Sequence, residues 1–306
     1  MDYKVYKSSK IIRLAGWFLA FLCLVFFSAV YYAPLTIVEV KNPLVEMGRS
    51  FLQPASVPLA QQDFTSLSFE SFDGLHLAAN VYTVPHAKAT IILLHGIRSN
   101  KEQWHPTALW LNAQGYNAVA LDLRAHGQSE GRYCTFGYKE KKDVSALIHY
   151  LKQKGFAQPY GIWGHSLGGT IALQTMAYVP DIKFGITESA YAGFSEIVHD
   201  YAHYYVPFVP DFLNDWWIKS AAEKAGFSPS KVSPLKAANS LKQPVLIVHG
   251  QADKKIKVNN ALRLFEKIKS KEKYLLLIPK AGHNDIHRVG GKKFFQRIAL
   301  FLAQQI

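Results

Sequence analysis

The hexapeptide Gly164-His165-Ser166-Leu167-Gly168-Gly169 lies between a short apolar run, Tyr160-Gly161-Ile162-Trp163, and a helix-forming stretch over 167–178. A serine on a sharp strand-to-helix turn projects its hydroxyl beyond the strand, where it can attack a carbonyl carbon. Gly164 and Gly168 leave room for such a turn, since a Cβ would clash there. The helix that opens at Leu167 aims backbone N–H groups and a positive dipole end at the oxyanion that the attack would create. The chemistry implied is nucleophilic acyl transfer with Ser166 as nucleophile.

A serine hydroxyl is a weak nucleophile and needs a base, and the base needs an orienting acid. On an elbow of this kind the order along the chain is Ser, acid, His. His283 lies in Ala281-Gly282-His283-Asn284-Asp285, just after the apolar run Tyr274 to Pro279. Asp253 lies in His249-Gly250-Gln251-Ala252-Asp253, just after Pro244 to Gly250. Both are loop residues beyond strand ends, one β-α-β step apart, where open α/β sheets place their sites. Two other acids compete with Asp253. Glu188 ends the preceding apolar run. Asp285 lies two residues past His283, where an N-cap for the following helix is the ordinary role.

The second oxyanion donor is expected from the loop His95-Gly96-Ile97-Arg98-Ser99-Asn100, with the Ile97 N–H joining that of Leu167. The amides matter in this reading and the side chains are incidental. The chain has twelve histidines, so a lone one carries little information. His76, His86, His149, His199 and His203 have no motif context and are expected as surface or core residues, and His249 as a packing residue.

Elements able to position these residues are legible. Phe64 to Ser71 and Leu75 to Val84 flank Asp73-Gly74, a hairpin signal. Six short apolar runs follow, of the kind buried on both faces of a parallel sheet, with helix-length stretches at 102–114, 138–154, 167–178 and 257–270 between them. The interval 190–243 is about twice the usual length. It is expected to be a helical insertion above the C-terminal edge of the sheet.

The stretches His95-Gly96 and Asp122-Leu123-Arg124-Ala125-His126-Gly127-Gln128-Ser129, the Ser166 elbow and the Asp253 and His283 loops together resemble a membrane-anchored α/β-hydrolase of the group that includes the serine aminopeptidase-like and lysophospholipase-like hydrolases. The resemblance spans roughly residues 64 to 304. It implies an α/β three-layer sandwich with a mostly parallel sheet. It implies a Ser166, Asp253, His283 triad with Ile97 and Leu167 as oxyanion hole, and makes 190–243 the family's variable cap. It also makes Asp122 to Ser129 a structural turn beneath the site, which leaves His126 outside the chemistry.

Residues 14 to 38 carry no charged side chain, and about 20 helical residues span roughly 30 Å, the thickness of a bilayer core. Trp17 lies near one end of this run and Tyr31 and Tyr32 near the other, and Lys4, Lys7, Lys10 and Arg13 precede it. The expected organisation is a basic N-terminus (1–13), a single transmembrane anchor (14–33), a linker (34–62) and a hydrolase domain (63–306). The positive-inside rule puts the N-terminus in the cytoplasm and the hydrolase outside it. A cleaved signal peptide fits less well, because bulky Phe27 and Tyr31 occupy positions that need small residues.

The net charge of +13 is spread thinly, and no zinc finger or RNA-binding motif accompanies it, so no nucleic-acid partner is expected. Cys23 and Cys134 fall on opposite sides of the membrane boundary and are not expected to pair. No metal or organic cofactor is implied. The expected activity is hydrolysis of a carboxylic ester, or a thioester, of a small-molecule or lipid-like acyl group. A peptidase on the same triad would want an acidic cluster for the substrate amine, for which no clear candidate stands out. A binding protein on the same fold would normally lack a triad member. In the insertion, Tyr201, Tyr204, Tyr205, Phe208, Phe212, Trp216 and Trp217 are expected mainly as the cap's own core, with an apolar surface facing the acyl group or bilayer as the sharper alternative.

Overall fold

The structure is a computed structural model that describes residues 2–41, 63–205 and 207–306. Eight strands form one sheet: β1 (Thr65–Glu70), β2 (His76–Tyr82), β3 (Thr90–Leu94), β4 (Asn117–Leu121), β5 (Tyr160–His165), β6 (Ile182–Glu188), β7 (Val245–Gly250) and β8 (Lys273–Ile278). Their spatial order is β1-β2-β4-β3-β5-β6-β7-β8. The β1–β2 hairpin and the β2–β4 pair are antiparallel, and every pair from β4 to β8 is parallel. All six apolar runs are strands, and β3, β4, β5 and β7 are buried along their whole length. Their side chains still alternate. Ile92 and Leu94 join one core cluster with Val119 and Leu121, whereas Ile91 and Leu93 join the other with Ala118 and Ala120. Helices cover both faces, which is why these strands read as unbroken apolar runs rather than alternating ones.

One face is covered by α3 (His105–Ala113) and α10 (Ile286–Ala303), the other by α4 (Glu140–Gln153), α5 (Leu167–Tyr178) and α9 (Asn259–Lys267). The strand order reverses at β3: β4 lies on one side of it and β5 on the other. The loops leaving the C-terminal ends of β3 and β5 therefore diverge, and the crevice between them is where doubly wound sheets bind ligands.

The interval 190–243 is helical, with α6 (Phe194–Tyr205), α7 (Asp211–Ala225) and the short α8 (Pro234–Ala238). None of the seven insertion aromatics is fully buried; Phe208 is 94% and Phe212 76% exposed. The expectation that they form the cap's core holds only for Tyr201, which packs against buried Tyr191, Ile197 and Ile256, while Trp217 is half-buried and the other five are exposed. The buried face of α7 is Asn214, Ile218, Ala221, Ala222 and Ala225; its three alanines let the helix sit close on the body, and Phe212 and Trp216 stay exposed while Trp217 is half-buried.

The N-terminal helix α1 runs Asp2–Tyr31, and Ile12–Val38 forms a stretch long and apolar enough to cross a membrane, none of its most apolar window being buried. Of the segment expected as a linker, 42–62 lies outside the described residues. Over 34–41 the chain forms α2 (Ala33–Val38) and packs on the body: Pro34, Leu35, Val38 and Val40 are buried. The Cys134 N–H donates to the Val38 carbonyl at 2.8 Å, Arg98 Nη2 to the Thr36 carbonyl at 2.5 Å and Arg132 Nε to Glu39 Oε1 at 2.6 Å.

Candidate active site

Ser166 stands between β5 and α5 at φ 54°, ψ −116°, a left-sided backbone that a non-glycine residue adopts only under constraint. The constraint is local. Its N–H donates to the Glu188 carbonyl at 2.7 Å, and its carbonyl accepts from the Thr170 N–H at 3.1 Å. A Cβ on Gly164 would lie 2.1 Å from the Gly168 oxygen, and one on Gly168 would lie 2.0 Å from the Leu94 oxygen. The strand, turn and helix thus approach backbone to backbone, and glycine at both positions is what permits the elbow.

Ser166 Oγ lies 3.0 Å from His283 Nε2, and His283 Nδ1 donates to Asp253 Oδ2 at 2.7 Å. The other carboxylate oxygen of Asp253 accepts the N–H groups of Lys255 and Ile256, both at 2.9 Å. Burial alone would raise the Asp253 pKa, but the His283 hydrogen bond and charge, with the Ile256 N–H, hold it below its ordinary value. The acid is therefore ionised near neutrality, and it holds the His283 proton on Nδ1. Nε2 is left as a lone pair facing the serine hydroxyl. Such a chain can take the Ser166 proton as Oγ attacks an electrophile. Two neighbours brace it. His249, expected as packing, donates from Nε2 to the Ile256 carbonyl at 2.7 Å and so ties down the Asp253 loop. Asp285 stands at the N-cap position of α10, but its carboxylate turns back to accept the Gly282 N–H at 2.6 Å, bracing the His283 loop instead of capping the helix.

The loop after β3 places Ile97 beside Ser166 and Leu167 at one cavity wall. Neither the Ile97 nor the Leu167 amide has a hydrogen-bond partner among the described residues. The side chains of this loop are not all incidental, contrary to expectation. Buried His95 donates from Nδ1 to the Gly96 carbonyl at 2.7 Å and accepts the Leu123 N–H on Nε2 at 3.1 Å. Those two bonds fix its tautomer and hold the Gly96–Ile97 peptide in orientation. The Asp122 to Ser129 turn supports the loop from below: the Lys101 N–H and ammonium both donate to Asp122 at 2.7 Å. His126 is buried against His95, and burial pushes its pKa down to about 3.

Glu188, the rival acid, is engaged elsewhere. Its Oε1 accepts from Trp163 Nε1 and from His287 Nε2, each at 2.8 Å. Burial opposes both charges, yet their mutual attraction prevails: Glu188 titrates below and His287 above the ordinary value. His165 lies between this pair and His283; it donates from Nε2 to the His283 carbonyl at 3.1 Å, and burial pushes its pKa down to about 4. His287 was not foreseen. Its place four residues after His283, at the second residue of α10, is the signal that was available.

Two cavities meet at Ser166. One, about 360 Å³, is apolar and is walled by α2 (Ala33, Thr36, Ile37), α6 (Val198, Tyr201, Ala202) and Trp217 of α7. The other, about 570 Å³, carries Gln103, Glu188, Lys255, Asn284 and His287.

A parallel sheet with an antiparallel hairpin, an elbow after β5 and paired loops after β7 and β8 define an α/β-hydrolase, and the chain belongs to that family. Residues 85–231 match the family described as serine aminopeptidase, S33. The chain is 31% identical over 219 residues to the Bacillus subtilis (strain 168) protein YqkD, covering 65% of this chain and 70% of that one. It is 23% identical over 249 residues to a monoacylglycerol lipase of Mycolicibacterium smegmatis, covering 71% and 89%. Among solved structures, the Pyrococcus furiosus esterase Pf2001 superposes with a TM-score of 0.69 at 25% identity, covering 82% of this chain and 97% of that one.

Proposed function

We propose that this hydrolase is a membrane-anchored serine esterase that cleaves carboxylic ester or thioester bonds of lipid-like acyl groups. The observation that carries the reading is the hydrogen-bonded series Ser166, His283, Asp253 at the junction of one apolar and one polar cavity. His283 takes the Ser166 proton as Oγ attacks the carbonyl, and the Ile97 and Leu167 N–H groups receive the oxyanion. His283 then protonates the leaving group, and water hydrolyses the acyl-enzyme through the same base. The apolar cavity takes the acyl chain and the polar one the leaving group. A peptidase would need a free acid to hold the substrate amine, and Glu188, the acid in the polar cavity, is already paired with His287.

The acyl cavity shares a wall with α2, which directly follows α1. Exposed Tyr31, Tyr32, Tyr204, Phe208, Phe212 and Trp216 are rings of the type that settle at a membrane interface. With α1 in the bilayer, its basic end in the cytoplasm and the domain outside, the acyl cavity stands beside the anchor, and the substrate is an amphiphile drawn from the membrane surface. The full-length protein in vesicles is expected to release fatty acid from embedded monoacyl lipids faster than it hydrolyses a short soluble ester, and Ser166→Ala to abolish both. Equal rates on the two substrates would refute the membrane-lipid part. Persisting hydrolysis in Ser166→Ala would refute the mechanism.

A further inference from the structure

Two histidines that the sequence left without a role face an acid across the cap. His199 and His203 lie one turn apart on α6, with rings nearly parallel at 22°, and Asp211 opens α7. Asp211 Oδ1 lies 3.6 Å from His199 Nδ1 and 3.5 Å from His203 Nε2, and the three ligand atoms all fall within 4.8 Å of one another. The outer nitrogens are committed elsewhere. His199 Nε2 donates to Asp215 Oδ1 at 2.8 Å, and His203 Nδ1 donates to the His199 carbonyl at 3.0 Å. With both rings neutral, those bonds place the protons on the outer nitrogens. Two lone pairs and a carboxylate oxygen then converge.

We propose that His199, His203 and Asp211 bind one divalent cation of the zinc class, with Asp215 positioning His199. The spacing suits it, because ligands at the usual zinc distances on a tetrahedron stand about 3.4 Å apart. The donor set suits it as well, since imidazole favours zinc and its transition-metal neighbours over magnesium or calcium. A carboxylate behind a ligating histidine is the usual outer support of such a site. The charges balance too: Asp211 and Asp215 bring two negative charges to the seam. Three protein ligands leave a fourth position open to water.

The cation would join α6 to the first residue of α7 and so tie the two cap helices together. The opposite side of α6 carries Val198, Tyr201 and Ala202 of the acyl cavity. A bound cation thus stiffens one wall of that cavity, whatever bond the enzyme cleaves.

The test uses the full-length protein, purified without a polyhistidine tag, stripped with chelator and held in detergent. Titration with Zn²⁺ alone is expected to give one equivalent of binding and a higher melting temperature. Asp215→Asn should weaken binding about 10- to 100-fold, and His203→Ala should remove the stoichiometric phase. Co²⁺ added to the wild-type protein should give the intense visible bands of a four-coordinate site, erased by Zn²⁺ and untouched by excess Mg²⁺; this measurement stands even where a variant misfolds. No stoichiometric Zn²⁺, undiminished affinity in His203→Ala, or a weak octahedral Co²⁺ spectrum would overturn the proposal. Ester hydrolysis that survives metal stripping leaves the esterase reading standing whichever way the metal result falls.

Discussion

Asp253→Asn removes one charge and almost no volume, and its consequence can be worked from the hydrogen bonds. One oxygen of Asp253 accepts two main-chain N–H groups, from Lys255 and Ile256. In the asparagine variant only the amide oxygen can occupy that place, since an NH₂ group there would face two donors. The NH₂ must then point at His283 Nδ1, which has to accept. The His283 proton moves to Nε2 and confronts the Ser166 hydroxyl with a donor. The base is lost while every atom stays near its position. Holding a triad histidine in the wrong tautomer costs about 10⁴ in kcat, or roughly 5.5 kcal/mol of transition-state stabilisation. The assay is kcat and KM for a p-nitrophenyl ester near pH 8, with Glu188→Gln as comparator. KM is expected to change little in Asp253→Asn. A loss smaller than about tenfold, or a larger loss in Glu188→Gln, would refute Asp253 as the orienting acid.

The Glu188–His287 pair gives a pH signature. The raised His287 pKa contributes stability that is full below about 6.5 and is lost as pH rises through its folded value; the lowered Glu188 pKa contributes stability that is lost as pH falls below about 4.5 through its folded value. A double-mutant cycle with Glu188→Gln and His287→Gln, read by thermal melting, should therefore give more coupling near pH 5.5 than near pH 9, and equal coupling would count against the ion pair. Gly168→Ala drives a Cβ to 2.0 Å from the Leu94 oxygen, a backbone clash that cannot be relieved by rotating a side chain. It should cost about 3 kcal/mol or more, seen as a large drop in melting temperature or loss of soluble protein. Ala202→Trp fills part of the cavity walled by α2 and α6, so it should shift the preferred acyl chain to shorter lengths in an ester series, and an unchanged preference would place the acyl group elsewhere.

The sheet was legible because its strands are buried on both faces: Thr90–Leu94 and Val245–Gly250 have no polar residue interrupting their middle, and turn signals bound each run. The elbow was legible because Gly164 meets the Gly168 and Gly169 backbone within the turn itself, whereas what requires Gly168, the Leu94 carbonyl, lies on another strand. Asp253 and His283 could be proposed from chain order, since each follows a strand directly. What stayed hidden depends on long-range packing. The Glu188–His287 pair joins residues 99 positions apart. His95 looked incidental because its partner, the Leu123 N–H, lies on another loop. Phe212 and Trp216 read as core because sequence hydrophobicity does not say which side of α7 faces the body; the buried Ala221, Ala222 and Ala225 decide that. Docking of 34–41 was hidden in the same way, since Val38 and Val40 find their neighbours in the sheet domain.

The most direct measurement is the site of covalent trapping. The full-length protein treated with a fluorophosphonate should gain one phosphonyl group, mapped by peptide mass spectrometry to Ser166. Labelling should vanish in Ser166→Ala and slow by orders of magnitude in His283→Ala. A label on any other residue, or undiminished labelling of Ser166→Ala, would contradict the account.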